Sequence, residues 1–174
     1  VIDAATPQSV VAVGVPGDAA PLVHGEELAR GNQASEALVD RIREAVARAG
    51  ARVPDVTALA VGRGPGTFTG ARVAVATAKG LALGLALDLH PFSTLEAIAH
   101  DPLAGTPGPG DVPGHVPGHV LATLDARKGE VYGAWYAVDP TTRALERVGD
   151  ERVAALSRFL EASPAGAPSR ALLA

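Results

Sequence analysis

The stretch Gly62-Arg63-Gly64-Pro65-Gly66-Thr67-Phe68-Thr69-Gly70-Ala71-Arg72 lies between a short apolar run, 56–61, and a longer one, 71–87, made almost entirely of alanine, leucine, valine and glycine. The short run suits a buried strand and the long one a buried helix. Arg72 and Lys79 make the long run too charged for a membrane span. A strand, a glycine-rich loop and a helix in that order mark an α/β unit. The loop sets backbone amides, two hydroxyls and an arginine at a helix N-terminus, an arrangement that favours an anion. Read without a ligand, the same glycines make a tight turn with positive φ. The residues leave both readings open. The loop is not a Walker A motif, which needs lysine after its last glycine where this chain has Ala71, and its spacing is not that of a dinucleotide fingerprint.

On the N-terminal side, 1–3 and 9–15 read as two strands joined by a turn, with a third short strand near 21–26. Over 35–49 the apolar residues Leu38, Ile42, Ala45, Val46 and Ala49 form one helical stripe, with Ser35 as its cap, Gly50 as its stop and a Glu44–Arg48 pair on the exposed side. The stripe must bury against its own sheet or against another subunit, and periodicity does not choose between them.

On the C-terminal side, Gly80 and Gly84 each cost a helix about 1 kcal/mol relative to alanine, which predicts close backbone packing there. Ser93-Thr94-Leu95-Glu96 has capping-box spacing, so a third helix runs to His100. A Pro/Gly-rich linker or insertion, 105–119, carries the repeat Pro-Gly-His-Val and separates a lobe at 1–104 from a partial lobe at 120–174. That second lobe reads as strands at 120–124, 130–138 and 144–148. A last helix follows, capped by Asp150, with Val153, Leu156, Phe159 and Leu160 on one face. The apolar tail 171–174 has no evident pairing partner, and both ends of the chain read as truncated.

With 174 residues, 47% of them apolar, the chain has material for a sizeable core, and disorder is excluded. The absence of cysteine excludes disulfides and thiolate chemistry, and the lack of a secretory signal predicts a cytoplasmic protein with no membrane contact. A net charge of −4 argues that any RNA is reached through a more basic partner. Asp3, with Thr6 beside it, is either a metal-orienting carboxylate or a turn cap. Without a second acid at the same rim, the turn cap is favoured over metal-assisted phosphoryl transfer. His115 and His119 are four apart but separated by Pro117, so no helical metal pair forms, and neither H-E-x-x-H nor G-x-S-x-G is present. No catalytic residue and no metal ligand is assigned. Tyr132 and Tyr136 share one strand face and Trp135 the other, as core packing or as an interface anchor.

Four segments in order closely resemble the bacterial TsaB (YeaZ) family: Ile2-Asp3-Ala4-Ala5-Thr6-Pro7, then Gly64 to Arg72 continued by 76–82, then Ser93-Thr94-Leu95-Glu96-Ala97, then 124–132. The resemblance implies an α/β fold of the actin, sugar-kinase and Hsp70-like (ASKHA) type. Such a fold has two ribonuclease-H-like lobes, the second truncated here. It implies a non-catalytic subunit, not itself an enzyme, in forming N6-threonylcarbamoyladenosine at tRNA position 37. The implied partners are the catalytic protein TsaD, the ATPase TsaE in a larger assembly and a second copy of the chain, with tRNA met only through the complex. On this basis the partner interface is expected at Ser35, Leu38, Val39, Ile42, Val46, Arg72, Val75 and Lys79. The anion or nucleotide loop would comprise Asp3, Thr6, Gly64, Gly66, Thr67, Thr69, Gly70 and Arg72. No cofactor is required, although the loop leaves room for ATP or ADP. The alternative is a nucleotide-binding phosphotransferase, and a glycoprotease-like peptidase ranks below both. The chain departs from the family at Ala34-Ser35-Glu36, where His-Ser-Glu is frequent, and at Ala71, where leucine is common.

Overall fold

The computed structural model describes residues 1–14, 22–27, 34–100, 118–165 and 171–173, with side chains described outside 22–27, 34–37 and 171–173. They form two compact units, Val1–Thr94 and Leu95–Ala174. Composition had placed the division at 104; the contacts place most of the third helix with the second unit.

The first unit runs β1 (Ile2–Asp3), β2 (Gln8–Val13), β3 (Leu22–Glu27), α1 (Ala34–Arg48), a 3-10 turn (Val53–Asp55), β4 (Ala58–Gly62), α2 (Phe68–Leu85) and β5 (Asp88–Phe92). Its sheet has the order β3-β2-β1-β4-β5, antiparallel through the first three and parallel from β1 to β5. Ile2, Val11, Leu59 and Val61 of the sheet meet Leu38, Ile42, Ala45 and Val46 of α1 and Ala74 and Ala78 of α2 in one buried cluster. Each large aliphatic residue buried there contributes about 1.5–3 kcal/mol.

Several expectations change at the element ends. Helix α1 starts at Ala34, so Ser35 lies inside its first turn and is not the cap. Gly50 does stop it, at φ 73°, with the Ala51 amide donating to the Val46 carbonyl at 3.1 Å. Helix α2 begins at Phe68 rather than Ala71, because Thr67 already offers its carbonyl to the Ala71 amide at 3.0 Å. It stops at Leu85, where Ala86 turns left-handed. The strand β5 was not expected from the sequence. It is last in the sheet order, where Pro91 is tolerated. The close packing expected at Gly80 and Gly84 is absent among the described residues, since a Cβ at either would meet nothing within 4 Å.

The second unit holds α3 (Thr94–His100) beyond its first residue, β6 (His119–Arg127), β7 (Glu130–Val138), β8 (Leu145–Ala154), α4 (Leu156–Glu161) and β9 (Ala171–Leu173). Its sheet order, β8-β7-β6-β9, with the pair β6/β9 parallel and the other pairs antiparallel, repeats the order and polarity of β3-β2-β1-β4. Val120, Ala122, Leu124 and Tyr136 pack with Leu95 and Ala99 of α3. Leu121 and Trp135 pack with Phe159 of α4, and the Trp135 indole donates to the Phe159 carbonyl at 3.1 Å. The two faces of β7 thus carry its aromatics as the alternation predicts, in core roles.

Two readings of this unit are corrected. Asp150 caps no helix: β8 continues through it to Ala154, because β7 supplies ladder partners as far as Val131, and α4 starts only after Ala155. Val153 belongs to that strand and is half exposed, and Leu160 of α4 is exposed too, so the inward helical face holds Leu156 and Phe159 alone. The tail does find a partner, as Ala171, Leu172 and Leu173 align with Leu121, Ala122 and Thr123 of β6. Residues 105–117 of the Pro/Gly-rich segment, including His115, lie outside the described residues.

Candidate functional site

The glycine-rich loop and the end of β1 are built against each other. The Thr67 amide donates to the Ala5 carbonyl at 2.6 Å and the Thr67 hydroxyl reaches the Ala4 carbonyl at 3.4 Å. Gly66 and Gly70 are required by this closeness: a Cβ at Gly66 would lie 2.1 Å from the Ala5 carbonyl oxygen, and one at Gly70 would lie 1.8 Å from that of Ala4. The loop is therefore seated on backbone, and no side chain spaces it from the strand.

Asp3 is buried at the centre of this arrangement. Its Oδ1 accepts from the Ala5 amide at 2.8 Å and its Oδ2 from the Thr94 hydroxyl at 2.7 Å. Gly62 lies flat on the carboxylate, where a Cβ would come within 2.3 Å of Cγ. The Thr94 amide donates in turn to the Gly64 carbonyl at 2.9 Å, and the Arg63 amide to the Phe92 carbonyl at 3.0 Å. One carboxylate thus ties together the end of β1, the loop and the first residue of α3. Thr94→Val is expected to destabilise the protein by about 1–3 kcal/mol, because it leaves Oδ2 buried with one partner fewer, whereas Thr94→Ser keeps most of the stability. Urea denaturation of the two variants measures the difference.

The remaining loop candidates fall into two groups. Thr6 bonds the Gln8 carbonyl through its hydroxyl, so with Asp3 and Thr67 it is engaged within the chain. Thr69 and Arg72 face solvent on α2, and the Arg72 guanidinium stacks over the Phe68 ring at 3.8 Å from its centroid. Gly64 holds φ 92° in the turn. Among the described residues no three His, Asp or Glu side chains are grouped to hold a metal.

The expected partner residues are also divided. Leu38, Ile42 and Val46 are in the core of the first unit, so the stripe of α1 is spent on its own sheet and is not available to a second protein. This corrects the interface reading for those three positions. Val39 and Val75 are partly buried, and Arg72 and Lys79 are exposed. The side chain of Ser35 lies outside those described. The outer side of α1 carries Asp40, Arg43, Glu44 and Arg48. The outer side of α2 presents Phe68, 69% exposed, and Leu83, 88% exposed, with Arg72, Ala76, Lys79 and Gly80 between them at helical spacing. Sequence reasoning missed Phe68 and Leu83. The signal was present in their spacing from Arg72 and Lys79, but an alanine-rich helix hides its polarity, because nearly every face looks apolar.

Comparison with known proteins places this arrangement. The family model for TsaD, tRNA N6-adenosine threonylcarbamoyltransferase, matches residues 27–174. The chain is 37% identical over 105 residues to the tRNA threonylcarbamoyladenosine biosynthesis protein TsaB of Escherichia coli, a match covering 60% of this chain and 42% of that protein. It therefore spans about two fifths of the length of that relative. An uncharacterized protein of Mycobacterium bovis is 31% identical over 99% of this chain and 73% of its own length. The solved structure of YeaZ from Pseudomonas aeruginosa superposes with a TM-score of 0.70 at 29% identity, covering 87% of this chain and 64% of that one. With the family model spanning most of the sequence, and relatives named TsaB and YeaZ in sequence and in structure, the chain belongs to the TsaD family and, within it, to the TsaB (YeaZ) proteins.

Proposed function

We propose that this chain is a non-catalytic scaffold in the formation of N6-threonylcarbamoyladenosine on tRNA, docking on a TsaD-type catalytic partner through the outer face of α2. The observation that carries this reading is the exposure of Phe68 and Leu83 on one helical face whose opposite side buries only Ala74 and Ala78. Two large apolar side chains, with the small Ala76 and Gly80 and the cationic Arg72 and Lys79 between them, suit a helix packed by another protein that offers apolar and acidic groups. The commitment of Asp3, Thr6 and Thr67 to bonds within the chain favours a structural loop over a phosphotransfer centre. In this reading the two units are ribonuclease-H-like lobes of an ASKHA-type protein. It works in the cytoplasm, TsaE joins the assembly, tRNA is met through the complex, and no nucleotide is needed by this chain. No helix among the described residues is long and apolar enough to cross a membrane.

Size-exclusion chromatography of the chain mixed with a TsaD-type protein, followed by a tRNA modification assay with and without the chain, tests the reading. Co-elution and dependence of modification on the chain are expected. Modification proceeding unaided, or turnover of a substrate by the chain alone, overturns it. Calorimetric titration with ATP and magnesium separates the phosphotransferase alternative, for which strong binding and hydrolysis are required. A homodimer in the absence of TsaD is compatible only if TsaD displaces it.

A further inference from the structure

We propose that the tip of the β6–β7 hairpin, Arg127-Lys128-Gly129, contacts the phosphate backbone of an RNA, an inference that rests on the tRNA role proposed above. Arg127 faces Glu130 across the hairpin, so the chain reverses through Lys128 and Gly129 alone. Arg127, Lys128 and Gly129 hold φ of 68°, 56° and 78°. Two-residue hairpins with positive φ at both positions ordinarily take Asn-Gly or Asp-Gly, and L side chains other than Asn and Asp enter this region only at a conformational cost. Here two successive cationic residues occupy it.

Among the described residues, neither cationic head gains a bond that would repay that cost. The other described arginines are engaged, in ion pairs such as Arg48–Glu44 at 2.6 Å and Arg52–Asp55 at 2.9 Å, or over rings, as Arg152 is over Phe159 at 4.8 Å. Among the described residues Arg127 and Lys128 have neither a carboxylate within ion-pair distance nor a ring beneath them, and both are exposed. The nearby Asp125 turns its Oδ1 onto the Arg127 amide at 2.8 Å rather than onto either cationic head. Glu130 is exposed beside the tip. The turn itself carries no apolar side chain, so it lacks the buried centre that a protein interface needs. Adjacent point charges on a narrow projection match phosphates, which are contacted by Arg and Lys and require no apolar area.

The double variant Arg127→Asn/Lys128→Asn tests this, because asparagine accepts left-handed backbone and the hairpin keeps its fold. An unmodified tRNA transcript is titrated by fluorescence anisotropy into the chain alone and into its complex with a TsaD-type protein. RNA affinity at low salt is expected to fall about five- to tenfold, and the slope of log K against log salt by about 1.5, with thermal stability and co-elution retained. The charge-preserving Arg127→Lys/Lys128→Arg variant should keep the affinity of the parent chain. Unchanged affinity and slope in the asparagine variant overturn the inference, as does RNA binding by neither species. Loss of ATP affinity with RNA binding intact also overturns it, by assigning the tip to a free nucleotide. Failure of co-elution by the parent chain overturns the scaffold reading instead, and the RNA titration of the chain alone then still decides the inference.

Discussion

Gly70→Ala is expected to destabilise the first unit by about 3 kcal/mol or more, the cost of forcing atoms into a site that cannot relax. The added Cβ would lie 1.8 Å from the Ala4 carbonyl oxygen and 2.6 Å from the Thr67 Oγ. The threonine side chain can rotate away; the carbonyl cannot, because Ala4 follows the β1 strand and is itself buried. Relief requires lifting the loop from β1, which breaks the Thr67–Ala5 bond and weakens the seating of Asp3. Gly80→Ala is the matched control on the same helix. Its Cβ meets nothing within 4 Å, so it should stabilise the protein by about 0.5–1 kcal/mol through helix propensity. Thermal and urea denaturation of both variants give the comparison. Equal effects would mean that the loop is not seated on backbone as described.

Leu83→Asp should weaken association with a TsaD-type partner by about a hundredfold while costing the isolated chain only about 1 kcal/mol, through helix propensity and the helix dipole. The side chain is 88% exposed, so the fold loses almost no burial when it is replaced. A docked helix, in contrast, would have to bury the new carboxylate without a partner, a cost of several kcal/mol. Asp40→Ala, on the charged outer side of α1, is the comparison, with an expected change of less than about threefold for a residue at a polar rim. Surface plasmon resonance against the immobilised partner reads both. Full affinity in the Leu83 variant would move the docking surface off α2.

These two positions show different limits of reading the chain. The glycine loop was legible as a glycine loop, since four glycines in nine residues ahead of an apolar helix admit few other structures. Its chemistry was not legible, because amides at a helix start serve an anion and a tight turn equally well. What the sequence also hides is the seat of the turn, the Ala4 and Ala5 carbonyls, which lie more than sixty residues upstream of Gly70 and Gly66.

The sequence by itself determined the unit of β4, glycine loop and α2, the stop of α1 at Gly50 and the opposite facing of Tyr136 and Trp135. It also determined the family, through short motifs in a set order. Each depends on side-chain periodicity or on φ preferences that act over a few residues. Only the tertiary structure decided that the α1 stripe is spent on its own sheet, that β8 runs through Asp150, that the tail 171–173 joins β6, and that Asp3 closes on Thr94. Those outcomes depend on which distant group is in reach, and a hydrogen bond between residues ninety-one apart leaves no periodic trace in the residues between them.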